Sequence, residues 1–244
     1  RPLAAHACNY EPLFAESERW SQTTVLQSTP TLRWAYWDAF LPMMLVEQVL
    51  LQTHKPFAAV FDAKLETVLE KSRCLVIADA VAMSDAAAGR IADFVKAGGG
   101  LLVTGPAATR DELNRARDRS VLAEFLDVPF DTPYRWSGPV GAGRVAWLEK
   151  VEPVKPVPAQ YVETYSARIA PFGLWHLPHN TADIESALNW VCGGCTVEAD
   201  GPANTLFEIY KHVDGDTTHC HFVNYDASPA RNMTLRMPTD WCAS

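Results

Sequence analysis

Residues 74–104 read CLVIADAVAMSDAAAGRIADFVKAGGGLLVT, and they contain the clearest structural pattern in the chain. The continuous apolar run Cys74–Ala78 predicts a strand that is covered on both faces. Ser84 is a favourable helix cap, and apolar residues recur after it at helical spacing until the glycines at 98–100. A second apolar run follows at 101–104. Strand, helix and strand in this order predict a βαβ unit with parallel strands.

The segments upstream continue the same alternation of strands and helices. They predict a strand at 23–28 that Pro30 ends, a helix at 38–52 with Pro42 in its first turn, a strand at Phe57–Phe61 and a short helix at 65–70. Such an order is typical of a parallel sheet with helices on both faces.

The second half of the chain changes character. Its predicted elements are strands at 144–148 and 161–167, a helix at 182–191, and short strands at 206–211, 217–224 and 232–237, with a hairpin turn at Asp214-Gly215. We therefore predict three parts. They are a connecting segment at 1–22, an α/β domain at 23–192 that is irregular over 129–180, and a small antiparallel β domain at 193–244.

Composition excludes several classes of protein. The chain has 244 residues, of which 48% are hydrophobic, so a sizeable core can form. Its 29 acidic residues outnumber 21 Lys and Arg, no basic run is present, and we predict no nucleic-acid partner. Its apolar stretches are far shorter than the ~20 residues that span a bilayer, so we predict no membrane segment. Because the chain begins with Arg1 rather than Met, we expect a processed or excised piece.

The six cysteines do not require disulfides in a chain of this size. Cys74 and Cys220 lie inside strand-like runs, where we predict buried, small hydrophobic side chains rather than reactive thiols. Whether any of the cysteines pair is left open. Cys192 and Cys195 form the only CxxC. Zinc would need further ligands, and a redox-active pair belongs at the start of a helix rather than after one. We therefore interpret this pair as a helix end closed by two glycines.

Five short pieces between residues 74 and 128 carry a resemblance to a known family. They are Leu75-Val76-Ile77, Met83-Ser84-Asp85, FVKAGGG at 94–100, Arg110-Asp111-Glu112 and FLDV at 125–128. This block resembles the glutamine-amidotransferase-like domain that follows the catalytic barrel of some glycoside hydrolases, best known as the trimerisation domain of family 42 β-galactosidases. HFVNY at 221–225 and the alternation at 233–237 look like the small C-terminal β domain of those enzymes.

The resemblance implies a flavodoxin-like three-layer domain. It also implies that the glycosidase carboxylates belong to a catalytic barrel of the parent chain, and that the protein forms a homo-oligomer. True class I amidotransferases need a cysteine in G-x-C-x-G and a His-x-Glu pair, and neither pattern occurs here. We therefore expect no catalytic residue and no cofactor in this chain.

One candidate ligand crevice lies at the carboxyl ends of the predicted strands, where open α/β sheets bind ligands. Asp79 and Thr104 end the two strands of the βαβ unit, and Arg110 and Asp111 follow the second strand. The alternative interpretation is structural. Asp79 would cap a loop, and Asp111 would cap a helix whose alternating Arg and acidic residues form a solvated, salt-bridged face.

Histidines and aromatics offer further candidates. His219 and His221 have the spacing of strand-borne metal ligands, and His212 across the hairpin could approach them. A third ligand is not evident, so we favour two partly exposed strand histidines without a metal. We predict no metal. A set of aromatics could line a carbohydrate cleft or pack between domains: Trp34, Tyr36, Trp37, Tyr134, Trp136, Tyr161, Tyr165 and Trp175.

Three hypotheses for function follow. The first is a non-catalytic accessory and assembly region of a glycoside-hydrolase-like protein. The second is an independent small-molecule protein that binds or hydrolyses carbohydrate in the crevice. The third is a pure oligomerisation module with a large apolar interface.

Overall fold

A computed structural model of the chain describes residues 11, 14–130, 135–155, 176–194, 197–215, 217–226 and 228–238. The chain divides into two compact units. The larger unit comprises residues 22–49 and 58–195, and the smaller unit comprises residues 1–21, 50–57 and 196–244. The domain boundaries expected from the sequence, after residues 22 and 192, stay a prediction.

The described residues form the following elements, in chain order. The strands are β1 (Ser17–Trp20), β2 (Thr23–Gln27), β3 (Phe57–Phe61), β4 (Cys74–Ala78), β5 (Gly100–Thr104), β6 (Trp136–Val140), β7 (Gly143–Leu148), β8 (Glu198–Asp200), β9 (Thr205–His212), β10 (Thr218–Asn224) and β11 (Thr234–Arg236). The helices are α1 (Thr29–Trp34), α2 (Tyr36–Gln52), α3 (Leu65–Leu69), α4 (Asp85–Lys96), α5 (Val121–Leu126) and α6 (Thr181–Val191).

The main sheet has six strands in the order β3-β2-β4-β5-β7-β6. Strands β2, β4, β5 and β7 run parallel, with Val76 opposite both Val25 and Leu102, and the edge strand β6 is antiparallel to β7. Every residue of β4 and β5 is buried, as the continuous apolar runs predict. The predicted fold class, a flavodoxin-like parallel sheet followed by small antiparallel β structure, is confirmed.

Helix α4 connects β4 to β5 and begins where the sequence predicts. Ser84 Oγ accepts a hydrogen bond from the Ala87 N–H at 3.2 Å. Ile91 and Val95 are fully buried in the core beside the sheet. Gly98 ends the helix with φ 121°, a backbone conformation that favours glycine. No helix of the described ranges is long and apolar enough to cross a membrane.

Two prolines have roles that differ from those predicted. Pro30 lies in the first turn of α1, where the Ser28 hydroxyl accepts a hydrogen bond from the Thr31 N–H at 3.4 Å, so it helps to start a helix that the sequence analysis missed. Pro42 lies inside α2 rather than in its first turn, because this helix begins earlier than predicted, at Tyr36.

Cys74 is buried, as predicted. Cys74 forms a disulfide with Cys192, and their Cα atoms lie 5.6 Å apart. Cys192 follows α6, and Gly193, with φ 66°, closes this helix end as predicted. Cys220 is half-buried and belongs to no disulfide. Cys195 lies outside the described residues.

The smaller unit contains two antiparallel sheets. Strands β1, β9 and β10 form one, in the order β1-β9-β10, and β8 pairs with β11 in the other. Phe207 and Ile209 of β9 are buried in a cluster with Val197 and Ala199, so the two sheets share an apolar core. The predicted hairpin turn is confirmed, with Gly215 at φ 80°.

Three sequence predictions concern strands at the margins. The predicted strand at 232–237 is the shorter β11, and its partner is β8, which the sequence analysis missed. Strand β1 lies within the segment expected to be a connection. The predicted strand at 161–167 lies outside the described residues.

Candidate ligand crevice

The structure brings two of the predicted crevice residues together. Asp79 directly follows β4 with its backbone in the left-handed region, at φ 46°. Its N–H donates to the carbonyl oxygen of Thr104 at 3.1 Å and to the Thr104 hydroxyl at 3.2 Å. The same hydroxyl donates a hydrogen bond to Asp79 Oδ1. These contacts tie the end of β4 to the end of β5.

Gly105 makes this arrangement sterically feasible. Its φ is 64°, and a Cβ atom built on it would lie 2.6 Å from Asp79 Oδ1. A side chain at this position would therefore displace the carboxylate. The carboxylate is held between a fully buried hydroxyl and a glycine, which is the geometry of a loop cap.

The backbone of Arg110 pairs with the loop after β4, while the side chains of Arg110 and Asp111 bond within their own loop. The N–H of Arg110 donates to the Val81 carbonyl at 2.9 Å, and its guanidinium donates to the Asn114 carbonyl at 3.2 Å. Asp111 Oδ1 accepts hydrogen bonds from the N–H groups of Leu113 at 3.0 Å and Arg115 at 2.8 Å. Asp111 therefore closes a turn.

The helix predicted after Asp111, with its salt-bridged face, is therefore wrong. The segment between β5 and α5 forms turns and short bridges, and the next helix begins only at Val121. A side-chain carboxylate that bonds the N–H groups two and four residues ahead competes with helical hydrogen bonds. The cap of the following helix is Ser120, whose hydroxyl accepts from the Ala123 N–H.

A hollow of about 510 Å³ lies between this loop and the start of α4. Arg117 crosses it, with Nη2 placed 2.6 Å from Asp85 Oδ1 and donating to the Met83 carbonyl at 3.3 Å. Arg115 Nε lies 4.0 Å from Asp111 Oδ2. The lining residues thus carry both positive and negative charges, which pair across the hollow. Arg117 Nε is buried and has no hydrogen-bond partner among the described residues.

The two strand histidines lie on one face of β10, beside an aromatic ring. The ring centroid of Phe14 is 6.5 Å from that of His219 and 5.7 Å from that of His221. Tyr210 is the cross-strand partner of His219. Burial raises the pKa of Tyr210, and the nearby Glu208 carboxylate raises it further. This tyrosine could not be identified from the sequence, because its neighbours come from other strands.

The third histidine of the predicted set has other partners. His212 Nδ1 lies 2.8 Å from Asp214 Oδ2, and its Nε2 lies 3.4 Å from Glu16 Oε2. It therefore engages the hairpin turn and the segment before β1. Among the described residues, no three His, Cys, Asp or Glu side chains are arranged to hold a metal ion.

No family model and no curated protein matches the chain. Solved structures do share its fold. They include a catalytic mutant of Gan42B, a GH42 β-galactosidase from G. stearothermophilus, with a TM-score of 0.52, 10% identity, and coverage of 80% of this chain and 34% of that one. The β-galactosidase from Rahnella sp. R3 has a TM-score of 0.53, 12% identity, and coverage of 86% and 38%.

An α-L-fucosidase isoenzyme 2 from Paenibacillus thiaminolyticus is a third example, with a TM-score of 0.51, 15% identity, and coverage of 92% of this chain and 41% of that one. Our chain thus spans 34–41% of the length of these three chains. At such identities the similarity establishes a common fold: this chain folds like part of several glycosidase chains.

Proposed function

We propose that this chain is an accessory and assembly region of a glycoside-hydrolase-like protein and has no catalytic role of its own. One observation carries the proposal: the shared fold extends over 80–92% of this chain but over only 34–41% of each glycosidase chain. A catalytic barrel, the partner implied by the sequence resemblance, would occupy the rest of the parent protein and supply the glycosidase carboxylates.

The crevice chemistry supports this proposal. Asp79 and Thr104 bond to each other, and Asp111 bonds to its own turn. A glycosidase needs two carboxyl groups that face each other across a substrate, one of them acting as an acid. Carboxylates that hold loops together by accepting internal hydrogen bonds are used for structure, and the amidotransferase pattern of Cys, His and Glu does not occur in the sequence.

An exposed apolar surface supports the assembly role. Trp34 of α1 is 47% exposed and Leu113 is 53% exposed. The indole Nε1 of Trp34 donates to the Glu112 carbonyl at 3.2 Å, so the indole lies against the backbone next to Leu113. Neighbouring exposed apolar side chains are typical of protein contact surfaces. We propose this surface as part of a homo-oligomer interface.

Light scattering on the purified chain tests the assembly role. We expect a mass above that of one chain, and we expect Leu113→Asp to lower it, because a buried carboxylate opposes association. Val213→Asp is the matched control. Val213 is 67% exposed in the other unit, and its substitution should leave the mass unchanged. A monomeric wild-type protein at high concentration would contradict the proposal.

Turnover of aryl-galactosides and aryl-fucosides tests the absence of catalysis. We expect no turnover by this chain. Robust hydrolysis that Asp79→Asn abolishes would overturn the proposal, because this variant keeps the shape of the side chain and removes its charge.

One observation favours a second function, an independent protein that binds or hydrolyses a small carbohydrate in the crevice. Arg117 Nε is buried beside the hollow without a hydrogen-bond partner among the described residues, and buried donors normally have one. A ligand hydroxyl would complete it. This alternative predicts sugar binding or turnover that Arg117→Lys removes while the oligomeric mass stays the same.

A further inference from the structure

A second hollow shares no lining residue with the crevice. It lies between helix α6 and strands β6 and β7 and has a volume of about 380 Å³, within the ~300–1,000 Å³ typical of small-molecule sites. Ala146 and Leu148 of β7 form its apolar floor, and Trp190 contributes an aromatic wall. We call this hollow the α6 groove.

Helix α6 faces the groove along one side. Ser186 lies one turn before Trp190 and Asp183 lies two turns before it, as helical spacing requires for side chains on one face. The opposite side is strand β6, where Ser137 is exposed, and Arg135 precedes this strand. Four of these five residues therefore lie on regular elements: Asp183, Ser186 and Trp190 on α6, and Ser137 on β6.

The polar side chains that line the α6 groove have no bonding partners among the described residues. Within the described ranges, Arg135, Ser137, Asp183 and Ser186 make no side-chain hydrogen bond or ion pair with another residue. This contrasts with the crevice, where Arg117 pairs with Asp85. The groove therefore presents both donors and acceptors that a ligand can use.

The chemistry of these groups selects a class of ligand. One guanidinium and one carboxylate balance each other, so the groove does not select for an anion or a cation. Two hydroxyl groups and the Trp190 indole add further donors and acceptors.

The Arg144 guanidinium lies 5.6 Å from the centroid of the Trp190 ring and also donates to the Trp190 carbonyl at 2.9 Å, which fixes the end of the helix.

We propose that the α6 groove binds a neutral saccharide of one or two rings. Sugar rings combine an apolar face, which contacts an aromatic side chain, with hydroxyl groups that both donate and accept hydrogen bonds. Trp190 provides the aromatic contact, Asp183 accepts from sugar hydroxyls, and Arg135 donates to them. The inference is independent of the assembly role, because none of these residues belongs to the surface of Trp34 and Leu113.

Saturation-transfer NMR with lactose as the probe tests the site. We expect transfer from the folded wild-type protein to the sugar ring protons. Trp190→Ala should weaken lactose binding at least about fivefold, and Asp183→Ala about tenfold, where tenfold corresponds to 1.4 kcal/mol. Phe125→Ala is the matched control, because Phe125 is an aromatic residue of similar exposure on another helix of the same unit, α5. It should bind lactose as the wild type does.

Two outcomes would overturn the inference. One is the absence of transfer to lactose, galactose and glucose with folded wild-type protein. The other is an equal loss of binding in Phe125→Ala and Trp190→Ala. If Trp190→Ala fails to fold, Asp183→Ala and Ser186→Ala decide the question, since both residues are exposed and without described partners, and unchanged binding in both would equally overturn it. Failure here leaves the light-scattering test of assembly unaffected.

Discussion

Cys74 in strand β4 is joined by a disulfide to Cys192, at the end of helix α6 and 118 residues further along the chain. Arg73 Nε also donates to the Cys192 carbonyl at 2.6 Å. The C-terminal end of α6 is therefore held to the start of β4 by two adjacent residues, Arg73 and Cys74. Closing a loop of this length restricts the unfolded chain strongly.

Loss of this disulfide should destabilise the protein. We expect Cys192→Ser to lower the free energy of unfolding by about 2–5 kcal/mol, measured by urea denaturation under oxidising conditions. Cys220→Ser is the control, because Cys220 is half-buried and belongs to no disulfide, and it should change stability far less. Reductant should bring the wild type to the level of the variant, and a wild type that reductant leaves unchanged would contradict the prediction.

Two glycines should respond in opposite directions to alanine. Gly89 lies inside α4, and a Cβ atom there would have no neighbour within 4 Å, so Gly89→Ala should stabilise the protein by about 0.5–1 kcal/mol. Gly143 begins β7, where a Cβ atom would lie 2.1 Å from the Val95 carbonyl oxygen and 2.2 Å from that of Gly99. Gly143→Ala should therefore destabilise by more than about 1 kcal/mol.

Thermal unfolding of the two alanine variants checks this prediction. The melting temperature should rise for Gly89→Ala and fall for Gly143→Ala, and changes of the same sign would contradict it. The pair is well matched, because the same atoms are added in each case and only the surroundings of the new methyl group differ.

The sequence predicts the parts of this fold that local chemistry determines. Strand β4, helix α4 and strand β5 were identifiable because the apolar runs and the Ser84 cap act within a few residues. The loop after β5 was not, because alternating charges suit a helix surface while the Asp111 carboxylate bonds the backbone of its own turn instead. The disulfide could not be predicted from the sequence either, since it depends on how α6 packs near β4.

The candidate sites show the same difference between what the sequence pattern indicates and what depends on tertiary packing. Asp79 and Thr104 could be placed together because parallel strands end at the same edge of a sheet. The α6 groove could not be predicted, because its members are Arg135 and Ser137 near one strand and Asp183 and Trp190 on a helix that is distant in sequence. Only the packing of α6 beside β6 and β7 brings them together.

The hydrogen bond from the Thr104 hydroxyl to the Asp79 carboxylate should contribute measurably to stability. Thr104→Val keeps the shape of the buried side chain but removes the donor, so we expect a loss of about 1–3 kcal/mol in the free energy of unfolding. Thr109→Val is the control. Its hydroxyl donates to the neutral Pro106 carbonyl at 3.0 Å, and the loss should be smaller. Equal losses in the two variants would contradict the special role of the carboxylate.

Glu47 of α2 should make the stability of the protein depend on pH. Burial raises the pKa of the Glu47 carboxyl group, and the hydrogen bond from Gln27 Nε2 at 3.0 Å offsets part of that rise. The folded protein therefore holds the proton to a higher pH than the unfolded chain, in which the pKa of Glu is about 4.3. Stability must fall as the pH rises from that value through the folded pKa.

Glu47→Gln should remove this dependence, because the amide stays neutral and its oxygen can still accept from Gln27. We expect the variant to be more stable than the wild type at pH 7, and the difference to shrink below about pH 4, where the carboxyl group is protonated in both states. Urea denaturation at a series of pH values measures it. Glu66→Gln, at an exposed position, should change stability by no more than about 0.5 kcal/mol throughout. A Glu47→Gln variant that is less stable at pH 7 than at pH 4, relative to wild type, would contradict the assignment.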